Sequence, residues 1–141
     1  IILSDKEGQR VLPIWVGIFE ANAIALQMEN ISTPRPMTHD LLRNIIEDLS
    51  GAVTKIVVSD LKDNTFYALI YVETKTDTVA IDARPSDAIA LALRTQAPIF
   101  VEETVIDTAK GVDFSTDKAD SERLQQWLEG LDPEELGKYK M

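Results

Sequence analysis

The stretch Ala80-Ile81-Asp82-Ala83-Arg84-Pro85-Ser86-Asp87-Ala88-Ile89-Ala90-Leu91-Ala92-Leu93-Arg94 decides the fold. It reads as a strand end, a tight turn and a buried helix. Pro85 disfavours helical geometry at Arg84, so the helix cannot start earlier. Ser86 is placed as the N-cap, where its hydroxyl can accept an orphan N–H. Asp87 then sets negative charge beside the positive end of the helix dipole. Ala88 to Leu93 is apolar on every side, the mark of a helix buried all round. Two carboxylates and a guanidinium at its mouth need partners, because unpaired charge is costly to desolvate.

The same arrangement occurs earlier. Arg35-Pro36-Met37-Thr38-His39-Asp40 joins an Arg-Pro step to a hydroxyl and an early Asp before Leu41-Leu42. Two helix starts, each preceded by an Arg, suggest one shared place for an anion. They predict that the Arg35–Asp40 and Asp82–Asp87 segments lie side by side, joined by Arg–Asp contacts.

Around these motifs the chain reads as one α+β domain. Ile1–Ser4 and Arg10–Val16 form a hairpin across Asp5–Gly8. Ile18–Met28 is a helix. Thr38 caps a second helix, whose stripe Leu41, Leu42, Ile45, Ile46 and Leu49 is expected to face the core, with Arg43, Asn44, Glu47 and Asp48 in water and Gly51 at its C-terminal cap. Ala52–Leu61, Thr65–Thr74 and Thr78–Ala83 are strands rich in β-branched and aromatic residues. Ile99–Val101 is a short strand and Glu102–Ala109 a helical turn. The expected architecture is a single compact domain over 1–112, a mixed or antiparallel sheet packed by helices. Residues 113–141 form a linker and a C-terminal helix striped by Leu124, Trp127, Leu128 and Leu131.

Composition narrows the function. The chain has 141 residues, no Cys and a net charge of −10. Residues 1–112 carry −6 and 113–141 carry −4, so both parts are acidic. No basic stripe for coating phosphates is present, so any phosphate contact must be local or bridged by cations. No apolar run reaches membrane-spanning length, and no membrane partner is expected. Without Cys there is neither a disulfide framework nor a thiolate metal site, which fits a reducing compartment such as the cytoplasm.

Several segments resemble one known family: Leu12-Pro-Ile-Trp-Val-Gly17, Glu20-Ala21, Arg35-Pro-Met-Thr-His-Asp-Leu-Leu42, Thr65-Phe-Tyr-Ala68, Asp82-Ala-Arg-Pro-Ser-Asp-Ala88 and Ala97-Pro-Ile-Phe-Val101. In order and at compatible spacing, they resemble the bifunctional nuclease family, also catalogued as a domain of unknown function. The resemblance covers roughly Ile1 to Thr108. It implies a compact α+β domain and an activity on both DNA and RNA. Some relatives carry a C-terminal helical hairpin, whose pattern residues 113–141 do not show.

The chemistry of the motifs supplies candidate roles. His39, the only histidine, is either a general base for phosphodiester hydrolysis or an ordinary first-turn residue. Asp40, Asp82 and Asp87, with Glu20, offer oxygen ligands for Mg²⁺ or Mn²⁺, which accept one or two carboxylates plus substrate phosphate. Their alternative is dipole stabilisation and pairing with Arg. Arg35 and Arg84 either clamp a phosphate or bridge to the opposite motif's Asp. Trp15, Phe66, Tyr67 and Tyr71, at strand spacing, are expected in the core. The leading expectation is a metal-assisted nuclease acting on nucleic acid. Its rivals are a non-catalytic anion-binding or protein-interaction module and a homo-oligomer built on the aliphatic helices.

Overall fold

The computed structural model describes residues 1–8, 10–109 and, for the backbone, 112–113. The C-terminal helix expected within 113–141 lies outside the described residues. Eleven elements follow one another: β1 (Ile2–Ser4), β2 (Arg10–Pro13), α1 (Ile18–Met28), α2 (Thr38–Asp48), β3 (Ala52–Lys62), β4 (Thr65–Glu73), β5 (Thr78–Ala83), α3 (Pro85–Thr95), β6 (Ile99–Val101), α4 (Glu103–Thr108) and β7 (Val112–Asp113). The fold is α+β. A mixed four-stranded sheet runs β5-β4-β3-β6, with β6 parallel to β3 and the other pairs antiparallel. A second, antiparallel sheet runs β1-β2-β7. Val112–Asp113 pairs with Arg10–Val11, which carries the strand one residue into the segment expected as a linker.

The long β3–β4 hairpin is set by its turn. Asp63 and Asn64 both have positive φ, 51° and 61°, as a two-residue primed turn requires. Strand alternation then divides the sheet. Phe66, Ala68, Ile70 and Val72 are buried on one face, and Ala68, Ile70 and Val72 join the core cluster of α3. Tyr67, Leu69 and Tyr71 point to the other. Of the aromatics expected inside, only Phe66 is buried; Trp15 and Tyr67 are exposed. Lys55 and Lys62 lie over the rings of Tyr71 and Tyr67, with ammonium-to-centroid distances of 4.7 and 6.0 Å.

Helix α3 is the central element. Ala88, Ala90, Leu91 and Ala92 are almost wholly buried, as an all-apolar helix requires. It packs on β3 and β4, while α1 and α2 pack against it. Its small side chains permit close approach on several sides. A second cluster of Leu12, Ile14, Val58, Phe66 and Val105 ties β2 and α4 to the sheet.

Helix α2 departs from expectation. Leu41, Leu42, Ile45 and Leu49 are exposed among the described residues, and of the stripe only Ile46 reaches the core cluster. The element α2 meets most is α3, and the buried residue it presents is the polar His39. No helix among the described residues is long and apolar enough to cross a membrane.

Candidate functional site

Three helix starts converge on α3, through polar contacts that the sequence only partly signals. Arg84 is the N-cap of α3, and Pro85 takes the first helical position, where its missing N–H costs nothing. Ser86 therefore sits inside the helix, fully buried, rather than at the cap. Arg84 donates to Glu20 Oε1 at 2.9 Å, joining the start of α3 to the start of α1. A backbone N–H bond and the Arg84 guanidinium hold the Glu20 carboxyl below its usual range.

The two Arg-Pro segments do meet, through His39 rather than through Arg–Asp pairs. His39 Nε2 lies 3.0 Å from Asp87 Oδ1, spanning 48 residues of sequence. His39 is buried, with 9 % of its surface exposed, whereas the Asp87 side chain is 41 % exposed. An N–H on Nε2 donates to the carboxylate, and in the neutral imidazole Nδ1 is then the acceptor nitrogen. Nδ1 makes no hydrogen bond to the described residues.

Asp40 turns the other way. Its Oδ2 accepts the Met37 backbone N–H at 3.1 Å and its Oδ1 accepts from Arg94 Nε at 2.9 Å. Burial of the carboxyl opposes its charge, but these two bonds outweigh it and hold Asp40 below the ordinary carboxyl range. Arg94, in the last turn of α3, also donates to the carbonyls of Ala90 and Ala23. Its side chain is 3 % exposed. One guanidinium thus binds α1, α2 and α3 together. Arg94 was missed in the sequence reading, although it is the only charge in Ala88–Thr95, a sign that a buried partner awaits it.

Asp82 stands apart. It pairs across the strands with Leu69, so its side chain shares the sheet face opposite α3. Arg35 is exposed, and among the described residues no ion pair engages it. It lines a cavity of about 370 Å³ with Asp40, Arg43 and Arg94, from which Arg84 is absent. The four acidic candidates therefore do not gather. Among the described residues, no three of His, Cys, Asp and Glu form a group able to hold a metal. This set does not fit a protein-built cage for a cation.

The profile of the bifunctional nuclease domain matches residues 1–113. The chain belongs to the bifunctional nuclease family. A protein of Mycobacterium tuberculosis, described as uncharacterized, is 36 % identical over 145 residues, covering 96 % of this chain and 87 % of that protein. Bifunctional nuclease 2 of Arabidopsis thaliana is 29 % identical over 107 residues, which cover 73 % of this chain. Bifunctional nuclease 1 of Oryza sativa subsp. japonica is 27 % identical over 109 residues, covering 74 % of this chain. The matched region spans about a third of each plant protein, 32 % and 33 %. Within the family domain, the two Arg-Pro segments open α2 and α3 and meet at the His39–Asp87 contact.

Proposed function

We propose that the chain is a nuclease that hydrolyses phosphodiester bonds in DNA and RNA. Family membership and the names of the plant relatives support the class of reaction. The single observation that carries the chemistry is the 3.0 Å contact between His39 and Asp87. It joins the two motifs through the one side chain suited to proton transfer near neutral pH.

In this reading Asp87 holds the imidazole in one tautomer and stabilises the cation that forms. His39 Nδ1 takes a proton from water as the water oxygen attacks phosphorus. The bond from phosphorus to the leaving oxygen breaks, and solvent protonates that oxygen. Asp40 and Glu20 are already paired with Arg94 and Arg84, so they act as positioning residues. A divalent cation bound with the substrate would neutralise phosphate charge that an acidic protein repels, and Asp87 is the carboxylate that would reach it.

A second reading, a non-catalytic anion-binding or interaction module, is favoured by the burial of His39 and the net charge of −10. Purified chain incubated with single-stranded DNA and with RNA, with and without chelator, separates the two. The nuclease reading expects cleavage of both substrates that stops with chelator. Intact substrates with added Mg²⁺ and Mn²⁺ would leave the module.

A further inference from the structure

We propose that the cavity beneath the Ser32–Met37 loop is a phosphate-binding pocket, in which Arg35 and Arg43 grip the phosphate of a nucleotide and the Arg94–Asp40 pair forms a rigid floor. The pocket has about 370 Å³ of space and its lining includes Ser32, Thr33, Arg35, Asp40, Arg43 and Arg94. That size suits a phosphate with part of its sugar. The assignment rests on the nuclease reading and deepens it by placing a phosphate of the strand at the Asp40–Arg94 end of α3, apart from the His39–Asp87 contact at its other end.

Charge carries the argument. Three guanidinium groups and one carboxylate line the pocket, a local excess of two positive charges in a chain of −10. Arg94 and Asp40 neutralise one another at 2.9 Å and are fixed by further backbone bonds. That leaves Arg35 and Arg43 to meet an anion. Arg35 is held at the pocket by its loop, where the Thr33 hydroxyl donates to its carbonyl at 2.7 Å. Arg43 lies half-buried; its hydrogen bonds among the described residues go to its neighbour Asn44, through Nε and one terminal nitrogen at 3.3 Å each, and its charge also acts on the Asp40 carboxylate. Its remaining N–H groups stay available for the bidentate geometry that phosphate favours.

The probe is adenosine 5′-monophosphate, with adenosine as the control, titrated calorimetrically into the full chain. The nucleotide is a product-like ligand with no diester bond to cleave, so binding is read apart from catalysis. Wild type should bind the nucleotide and not adenosine. Arg35→Ala and Arg43→Ala should each weaken binding roughly tenfold or more, since a charge-assisted contact is lost. Arg43→Lys should recover only part, because it restores charge without the fork. Lys75→Ala, in the β4–β5 turn, should leave the affinity unchanged. Equal binding of adenosine, no binding by folded wild type, or undiminished binding by a folded Arg35→Ala/Arg43→Ala double variant would each overturn the pocket. If the pocket binds but the chain cuts nothing, the nuclease reading falls and the pocket stands. If the chain cuts while the double variant binds nucleotide normally, the reverse holds.

Discussion

At the scale of residues, Arg94 holds the site's frame. Its guanidinium reaches Asp40 and the carbonyls of Ala23 and Ala90, all from within the protein interior. Removing one partner of a buried ion pair leaves the other charge uncompensated. Arg94→Ala should therefore cost about 3–5 kcal/mol, read from urea denaturation. A loss below about 1 kcal/mol would show that water already serves Asp40. The same pair has a pH signature. The folded carboxyl of Asp40 titrates below its unfolded value, so its stabilisation is present above pH ~4. It is lost as pH falls below that, through the folded pKa, and the Arg94→Ala variant should show a flatter acid limb. Little of this was legible in the sequence. The Arg-Pro echo announced two polar helix starts, and they do meet. Which side chains join them depends on the crossing of α2 over α3, a long-range packing outcome. His39 and Asp40, one residue apart, reach opposite ends of α3.

At the scale of elements, α1, α2 and α3 end alike. Asn30, Ser50 and Gln96 adopt the left-handed conformation, and the next residue's N–H bonds a carbonyl five residues back. This is the Schellman closure, here made without glycine at the left-handed position. The sequence reading placed Gly51 as the cap, but the turn falls one residue earlier. At Gly51 a Cβ would lie 3.2 Å from Ile46 and Val72, a tight fit that those residues would have to relieve by a few tenths of an ångström. Ser50, at φ 64°, carries strain of about 1–2 kcal/mol relative to glycine, partly offset by glycine's larger unfolded-state entropy. Ser50→Gly should raise stability by about 0.5–1 kcal/mol, measured as a higher urea midpoint; a lower midpoint would contradict the cap geometry. Helix α2 tests burial. Its periodicity correctly marked a helix, yet period alone does not say which face is covered. Leu49 is 76 % exposed, so Leu49→Lys should change stability by less than about 0.5 kcal/mol. A loss above 2 kcal/mol would mean that this face is covered.

At the scale of the whole molecule, the fold class was readable because each cue is local. Strand alternation, the Asp63-Asn64 turn and the all-apolar α3 each fix their own element, and α3 leaves little choice but to sit centrally. The site was less readable because it is made of contacts between distant segments. The carboxylates that composition suggested for a cation are shared out instead among His39, Arg84 and Arg94, with Asp82 on the far sheet face. In the proposed reaction, catalysis rests on His39 and Asp87 acting as a unit. The measurement that tests this most directly is a cleavage cycle on single-stranded DNA, using wild type, His39→Ala, Asp87→Asn and the double variant, each verified as folded by its melting temperature. The account predicts a loss of roughly 10²–10⁴-fold for His39→Ala and a double variant no worse than the more damaged single one, because residues that work together lose function once. Wild type and the folded double variant cutting at equal rates would contradict it.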